Sequence, residues 1–275
     1  MGPPLERAFA FERAMHGAVG RVVSAAWGQA FLSPEIERCY DRNFLWVAGD
    51  GDGLSAEAMH AHAERLLGGH GMTHRRLLVE PRADARLRAG LVRLGYDAGA
   101  HLFMVHGGAR ALPEPVAAVA VEEVSIDALT AATERYLLTD PDSDYGRDPR
   151  TRAHLLAHHR DYGPIGGAER RFAVVVDGAP VAWARLWRRG DEAQVEDVVC
   201  LAPFRGRGYG RAVVVAAVRA ALVEGASFVF IVADDEDWPK ELYGRLGFAA
   251  AGTLGVYQRF APQSAGRGSK RRPPA

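Results

Sequence analysis

The sequence predicts an α/β (α+β) fold, a mixed central sheet flanked by helices, built as two tandem units of which the first is degenerate. Three observations support this. β-branched and aromatic runs alternate with stretches of helical spacing, and in the second half a hairpin precedes that alternation. A break containing Gly107-Gly108 and Pro113 and Pro115 divides the chain. Finally, Leu91-Val92-Arg93-Leu94-Gly95-Tyr96 is echoed by Tyr243-Gly244-Arg245-Leu246-Gly247-Phe248, each following a strand and preceding another. Registering the two stretches sets the run 43–48 beside 194–199 and the helix from Ser55 beside that from Tyr209. The units are 1–110 and 121–262, with a linker at 111–120 and a disordered tail at 263–275 rich in Pro, Gly and basic residues.

In order, apolar residues from Leu5 to Ala30 (Phe9, Met15, Val19, Val22, Val23) predict one or two helices. Asn43 to Ala48 predicts a strand ending in the turn Gly49-Asp50-Gly51-Asp52-Gly53. Ser55 is the expected N-cap of a helix to Leu67. Leu77 to Val79 is a strand, Arg86 to Leu94 a helix and His101 to Val105 a strand. In the second unit, Ile126 to Leu138 is helical, and Asp148-Pro149 caps and opens a helix to about Arg160. Phe172 to Val176 and Val181 to Trp187 form a hairpin about Asp177-Gly178. Then follow strand 194–201, helix 209–222, strand 228–233, helix 238–246 and strand 253–260.

Composition excludes several classes. Hydrophobic residues are 48% and charged residues 25% of 275, and the net charge is +0. This is globular composition, without a global field to recruit nucleic acid or an anionic membrane. The N-terminus lacks a signal-peptide pattern, and no run approaches the roughly 18 apolar residues of a membrane span. Cys39 and Cys200, far apart, read as reduced thiols of a cytoplasmic protein.

The chemistry concentrates in Arg205-Gly206-Arg207-Gly208-Tyr209-Gly210, between a strand and a helix. Glycines let successive amides close on an anion, and the helix start adds its positive dipole end. Arg207 and Arg211 add charge, so the loop suits a pyrophosphate. It lacks the Lys-Ser/Thr of a P-loop. Reading Gly-x-Gly-x-x-Gly from Gly206 or Gly208 puts Arg211 or Val213 last, against a dinucleotide fold.

With Glu196-Asp197-Val198-Val199-Cys200 upstream and Leu242-Tyr243-Gly244-Arg245-Leu246-Gly247-Phe248 downstream, the region from Val121 to Phe260 resembles the GNAT superfamily of N-acetyltransferases. The resemblance implies an acetyl-CoA-dependent acyltransferase acting by direct transfer in a ternary complex. It implies that Val198, Val199 and Cys200 pair with the pantetheine arm, that amides from Arg205 to Arg211 (Arg205, Gly206, Arg207, Gly208, Tyr209, Gly210, Arg211) hold the pyrophosphate, and that Tyr243 is the general acid. Glu196 is the candidate base and Asp197 the neighbour that holds a cationic substrate. Strand alternation sends the two to opposite faces unless a bulge intervenes. Glu236 and Pro239 depart from the family's usual Asn and Ala.

Asp140, Asp142, Asp144 and Asp148, with Tyr145, suggest binding of a cationic acceptor; a polar loop with a helix cap is the plainer reading. His154 and His158 have metal-ligand spacing, but no residue completes a site, so no metal is expected. His60, His62, His70 and His74 read as surface residues. The expected partner is a small-molecule amine, with neither nucleic acid nor membrane; the first half shapes the acceptor pocket or builds a homodimer. The alternative is a non-catalytic acyl-CoA-binding sensor or interaction protein.

Overall fold

The computed structural model describes residues 3–114, 119–141, 145–161 and 169–260. The chain begins with helix α1 (Pro4–Val19), started by a proline in its first turn. The hairpin β1 (Arg21–Ala25) and β2 (Gly28–Leu32) follows, where the periodicity predicts more helix. Gly20 leaves α1 in extended backbone, and Val22-Val23 favour a strand. At Gly28 (φ +139°) a Cβ would sit 2.1 Å from Trp46 O, so only glycine lets the hairpin reach the next strand.

The first half continues with β3 (Phe44–Val47), α2 (Ala56–Leu66), β4 (His74–Val79), α3 (Pro81–Arg93) and β5 (Asp97–His106). Ser55 caps α2, its hydroxyl accepting from Ala58 N. β4 is longer than the sequence predicts because its polar start is buried and bonded. His74 Nε2 lies 2.8 Å from Asn43 O, Arg75 donates to Glu64, and Arg76 pairs with Asp41 at 3.1 Å. His74 is fully buried, not a surface residue. α3 starts a turn earlier than expected, at Pro81.

The second half contains β6 (Glu122–Glu123), α4 (Ile126–Thr139), α5 (Pro149–Asp161), β7 (Glu169–Val176), β8 (Ala179–Arg189), β9 (Glu192–Cys200), α6 (Tyr209–Val223), β10 (Phe228–Asp234), α7 (Pro239–Arg245) and β11 (Phe248–Phe260). The β7–β8 turn has Asp177 and Gly178 both at positive φ, as the Asp-Gly pair predicts.

All eleven strands described join one mixed sheet in the order β1-β2-β3-β4-β11-β5-β10-β9-β8-β7-β6. Its middle reads the same from either side. β3 and β4 are parallel, as are β9 and β10. Between them, β11 of the second half pairs antiparallel with β4, and β5 of the first half pairs antiparallel with β10. β11 and β5 pair with each other. Each half thus gives its last strand to the other. The helix ends before those strands stop alike, with Gly95 (φ +82°) and Gly247 (φ +93°) in the left-handed conformation. This is the physical content of the sequence repeat.

α1 lies against the middle of this sheet, touching strands of both halves. Phe9 meets Trp46 and Phe103 edge-on at 5.5 and 5.0 Å, and Phe11 meets Phe230 at 5.3 Å. α4 and α5 pack on the same face, as Tyr136 against Trp183 shows. α2, α3 and α6 cover the other face, over Leu45, Val47 and Leu77 in one half and Ala184, Val195 and Val229 in the other. Among the described residues, no helix is long and apolar enough to cross a membrane.

Candidate active site

β9 and β10 pair only from Glu192↔Phe228 to Val195↔Ile231. Beyond that point β9 runs to Cys200 along β8 alone, and β10 runs to Asp234 along β5 alone. The two parallel strands therefore splay, and a cavity of about 280 Å³ opens between them, lined by Glu196, Asp197, Val198, Val199, Val232, Ala233 and Tyr243. Val198, Val199 and Cys200 lie along its open strand edge.

The splay coincides with a bulge. Arg185 faces Glu196 and Trp183 faces Val199, so β9 spends one residue more than β8 over this stretch. Asp197 absorbs the extra residue at φ +51°, a conformation a short acid side chain tolerates. Simple alternation predicts opposite faces for Glu196 and Asp197; with the bulge, both line the same cavity.

Their surroundings drive them apart electrostatically. Burial pushes the Glu196 carboxyl up to about 8, helped by the charges of Glu12, Asp197 and Asp41. Gln194 Nε2 donates to Glu196 Oε2 at 2.9 Å and also to Glu12. For Asp197, burial also pushes upward, but His159 and Arg185 outweigh it and hold the group below the usual carboxylate value. His159 Nδ1 lies 3.4 Å from Asp197 Oδ2 and 3.3 Å from Arg185 Nη1. One carboxyl is thus suited to exchange a proton near neutral pH, and its neighbour to remain an anion.

Tyr243 sits in the short helix α7, 6% exposed, with its ring against Phe248. Burial, then the charges of Glu196 and Asp237, raise its hydroxyl above the ordinary phenol value, so it stays protonated and able to donate. Pro239 occupies the first turn of α7, where a missing N–H costs nothing. Glu236 N donates to Asp234 Oδ1 at 2.8 Å in the preceding turn.

The glycine loop follows the splayed end of β9. Gly206 (φ +77°) and Gly208 (φ +79°) take left-handed backbone, and Gly208 is the N-cap of α6. A Cβ at Gly206 or Gly210 would meet nothing within 4 Å, so the space beside the loop is open. Ala212 N makes the helical bond to Gly208 O, which leaves the amides of Tyr209, Gly210 and Arg211 at the positive end of the helix. Arg205 donates to Cys200 O, Arg207 to Pro203 O and Arg211 to Glu114 O, so the arginines brace the loop as well as charge it. Loop and open strand edge together leave an extended groove whose far end, at the helix start, suits an anion.

The acidic segment after α4 behaves differently. Asp140 is buried near Arg205, and Asp148 caps α5 by accepting from Thr151 N at 2.7 Å while pairing with Arg38. Neither lines the cavity. Asp142 and Asp144 lie outside the described residues, as does the tail, and Tyr145 opens a short 3-10 turn. His158 and His159 do line the cavity, and burial pulls His158 down to about 3. No group of three metal-ligating side chains occurs among the described residues.

Sequence reasoning missed Glu12, Asp41, Arg185 and Gln194. Gln194 was within reach, since it stands two residues before Glu196 on one strand face. Glu12 and Asp41 carry no local signal, because only the tertiary fold brings them from the first half.

The chain is similar in structure to a functionally unknown conserved protein from Staphylococcus epidermidis, with TM-score 0.65 and 15% identity over 89% of this chain and 96% of the other. It is also similar to a GCN5-related N-acetyltransferase from Kribbella flavida, with TM-score 0.58 and 19% identity over 94% and 95% of the two chains. A tandem GNAT protein from the clavulanic acid biosynthesis pathway matches with TM-score 0.51 and 15% identity over 76% and 70%. No curated protein matches the sequence. The family model described as acetyltransferase (GNAT) family matches residues 131–248, which span the bulged strand, the glycine loop and Tyr243. The chain therefore carries an acetyltransferase domain of the GNAT family, set in a tandem GNAT-like fold.

Proposed function

We propose that the protein is an acetyl-CoA-dependent N-acetyltransferase that acetylates a primary amine of a small molecule by direct transfer in a ternary complex. The observation that carries this reading is the meeting, in one cavity, of a carboxyl raised to about 8 and a protonated tyrosine across a splayed strand pair. Acetyl-CoA supplies the acetyl group as an activated thioester.

Amides from Gly206 to Arg211 hold the diphosphate, and the open edge from Val198 to Cys200 receives the pantetheine arm and polarises the thioester carbonyl. Glu196 accepts the proton that the acceptor ammonium must lose before its nitrogen attacks. Tyr243 donates its hydroxyl proton to the departing thiolate. Asp197 and Asp41 supply negative charge for a cationic acceptor. The small cavity volume favours a small molecule over a protein segment.

Release of free thiol from acetyl-CoA, measured against a panel of amines, aminoglycosides, amino acids and peptides, tests the reading. Turnover is expected with at least one cationic small amine. Tyr243→Phe should then lower kcat by roughly 10²-fold and leave acetyl-CoA affinity unchanged. Tight CoA binding without turnover on any acceptor would establish a sensor instead, and an unaltered kcat in the variant would remove the acid role.

A further inference from the structure

Helix α1 belongs to the first half, yet it reaches the acid–base cavity of the second. Glu12 accepts a hydrogen bond from Gln194 Nε2, and the same amide nitrogen donates to Glu196 Oε2 at 2.9 Å. Gln194 is 1% exposed, and both of its amide hydrogens are committed to these two carboxylates. The other carboxylate oxygen of Glu12 is held by His16 Nε2 at 3.2 Å, one helical turn on. Phe9 and Phe11 anchor α1 on strands of both halves, so Glu12 has little freedom to withdraw.

We propose that Glu12 is a positioning residue for the acetyl-transfer site: through Gln194 it fixes the orientation of Glu196 and places a second negative charge beside it. This rests on the reading of Glu196 as the base. Two carboxylates sharing one amide repel, so the inner one holds its proton more firmly. A base so tuned is a stronger proton acceptor near neutral pH than an ordinary glutamate. Through Glu12 the degenerate half thereby acts on the base itself, and not only on the acceptor.

Other charged groups surround Glu196 and its acidic neighbours Glu12 and Asp41. His16 lies on α1, Asp41 in the turn before β3, Arg76 on β4 and His101 on β5. His158 and His159 come from α5, Arg185 from β8 and Asp197 from β9. Asp234 ends β10, with Asp237 and Tyr243 beyond it. Burial pulls His101 and His158 down to about 4 and about 3, so neither neutralises the acids near pH 7. Among the acids, Glu12 ranks first in its effect on Glu196, after burial itself.

Glu12→Gln isolates the charge, because a glutamine oxygen still accepts from Gln194. Two readouts on the full chain test it. One is the acid limb of the pH profile of kcat/KM with an amine that turns over. The other is the titration of the Glu196 carboxyl by NMR of ¹³C-glutamate-labelled protein, assigned with Glu196→Gln. Glu12→Gln should move both midpoints down by about one pH unit. An unmoved Glu196 midpoint in folded Glu12→Gln overturns the proposal, even if kcat falls. Should that variant fail to fold, Glu12→Asp draws the charge back by one methylene and must shift the midpoint the same way; no shift there also overturns it. A wild-type protein that turns over no amine refutes acetyl transfer separately, since the NMR midpoint needs no turnover.

Discussion

The two halves build the same strand–helix–strand–helix–strand unit and end its parallel strand pair in opposite ways. In the first half, β3 and β4 stay paired to Val47↔Val79, and Glu80 N then bonds to Val47 O at 3.0 Å. The Glu80 carboxylate plugs what would be the mouth: it accepts from Gly49 N at 2.8 Å, from Trp46 Nε1 at 2.9 Å and from Arg13. In the second half the bulge at Asp197 peels β9 from β10, and the strand edge stays open. The loops that follow differ in the same sense. Asp50 turns its carboxylate onto Asp52 N, and Arg86 covers the carbonyls of Asp50 and Leu54. The corresponding loop of the second half is cationic. One supersecondary unit thus becomes support or site according to whether its free amides meet a carboxylate of their own chain.

The strand exchange makes this a division of labour within one folded body. Phe103, on the exchanged strand β5, is 1% exposed and meets Phe9 and Phe230, one from each half. Phe103→Ala should cost about 3–5 kcal/mol and leave one unfolding transition, measured by denaturant melts followed at tryptophan and by circular dichroism. Two separate transitions would show that the halves are independent.

A smaller effect is expected from giving the second loop the character of the first. Gly206→Asp places a carboxylate in the cradle at a positive φ that Asp52 and Asp197 already tolerate. Acetyl-CoA binding by calorimetry should weaken by roughly tenfold, with thermal stability lowered only slightly, since an acid near a helix start offsets part of the strain of a side chain at positive φ. Unchanged affinity would mean the diphosphate lies elsewhere.

The smallest effect distinguishes the two carboxylates by sign. With its value raised from 4.5 to about 8, folded Glu196 keeps a proton that the unfolded chain releases between those limits. Its presence therefore costs stability increasingly from about pH 5 to pH 8, and the full cost persists above. Glu196→Gln should raise Tm by a few degrees at pH 9, with the gain vanishing near pH 5. Glu80→Gln, which removes a paired charge, should lower Tm at pH 7. A Glu196 variant without a pH-dependent gain would contradict the electrostatics of the open half.

Much of this was legible in the sequence for local reasons. Ser55 and Asp148 announce helix starts because their side chains cap the amide three residues on. Gly206, Gly208 and the arginines mark a cationic, left-handed loop because positive φ and charge are written in residue type. The Leu-Gly-aromatic stops before β5 and β11 betray the repeat. The hairpin at Val22-Val23 was masked by apolar spacing that fits a helix equally well, and polar His74, Arg75 and Arg76 hid the start of β4 because their partners lie far along the chain.

The sequence by itself determined the fold class and the left-handed glycines after β9, since these depend on backbone preference and short spacing, and it offered Glu196 and Tyr243 as candidates only through its resemblance to a family. Only the tertiary structure decided that Glu196 and Asp197 share a face, because a bulge overrides the two-residue period of a strand. It alone decided that β5 and β11 change places and that Glu12 stands behind Gln194. Those contacts join residues more than a hundred positions apart, and no periodicity in a single chain encodes such a distance.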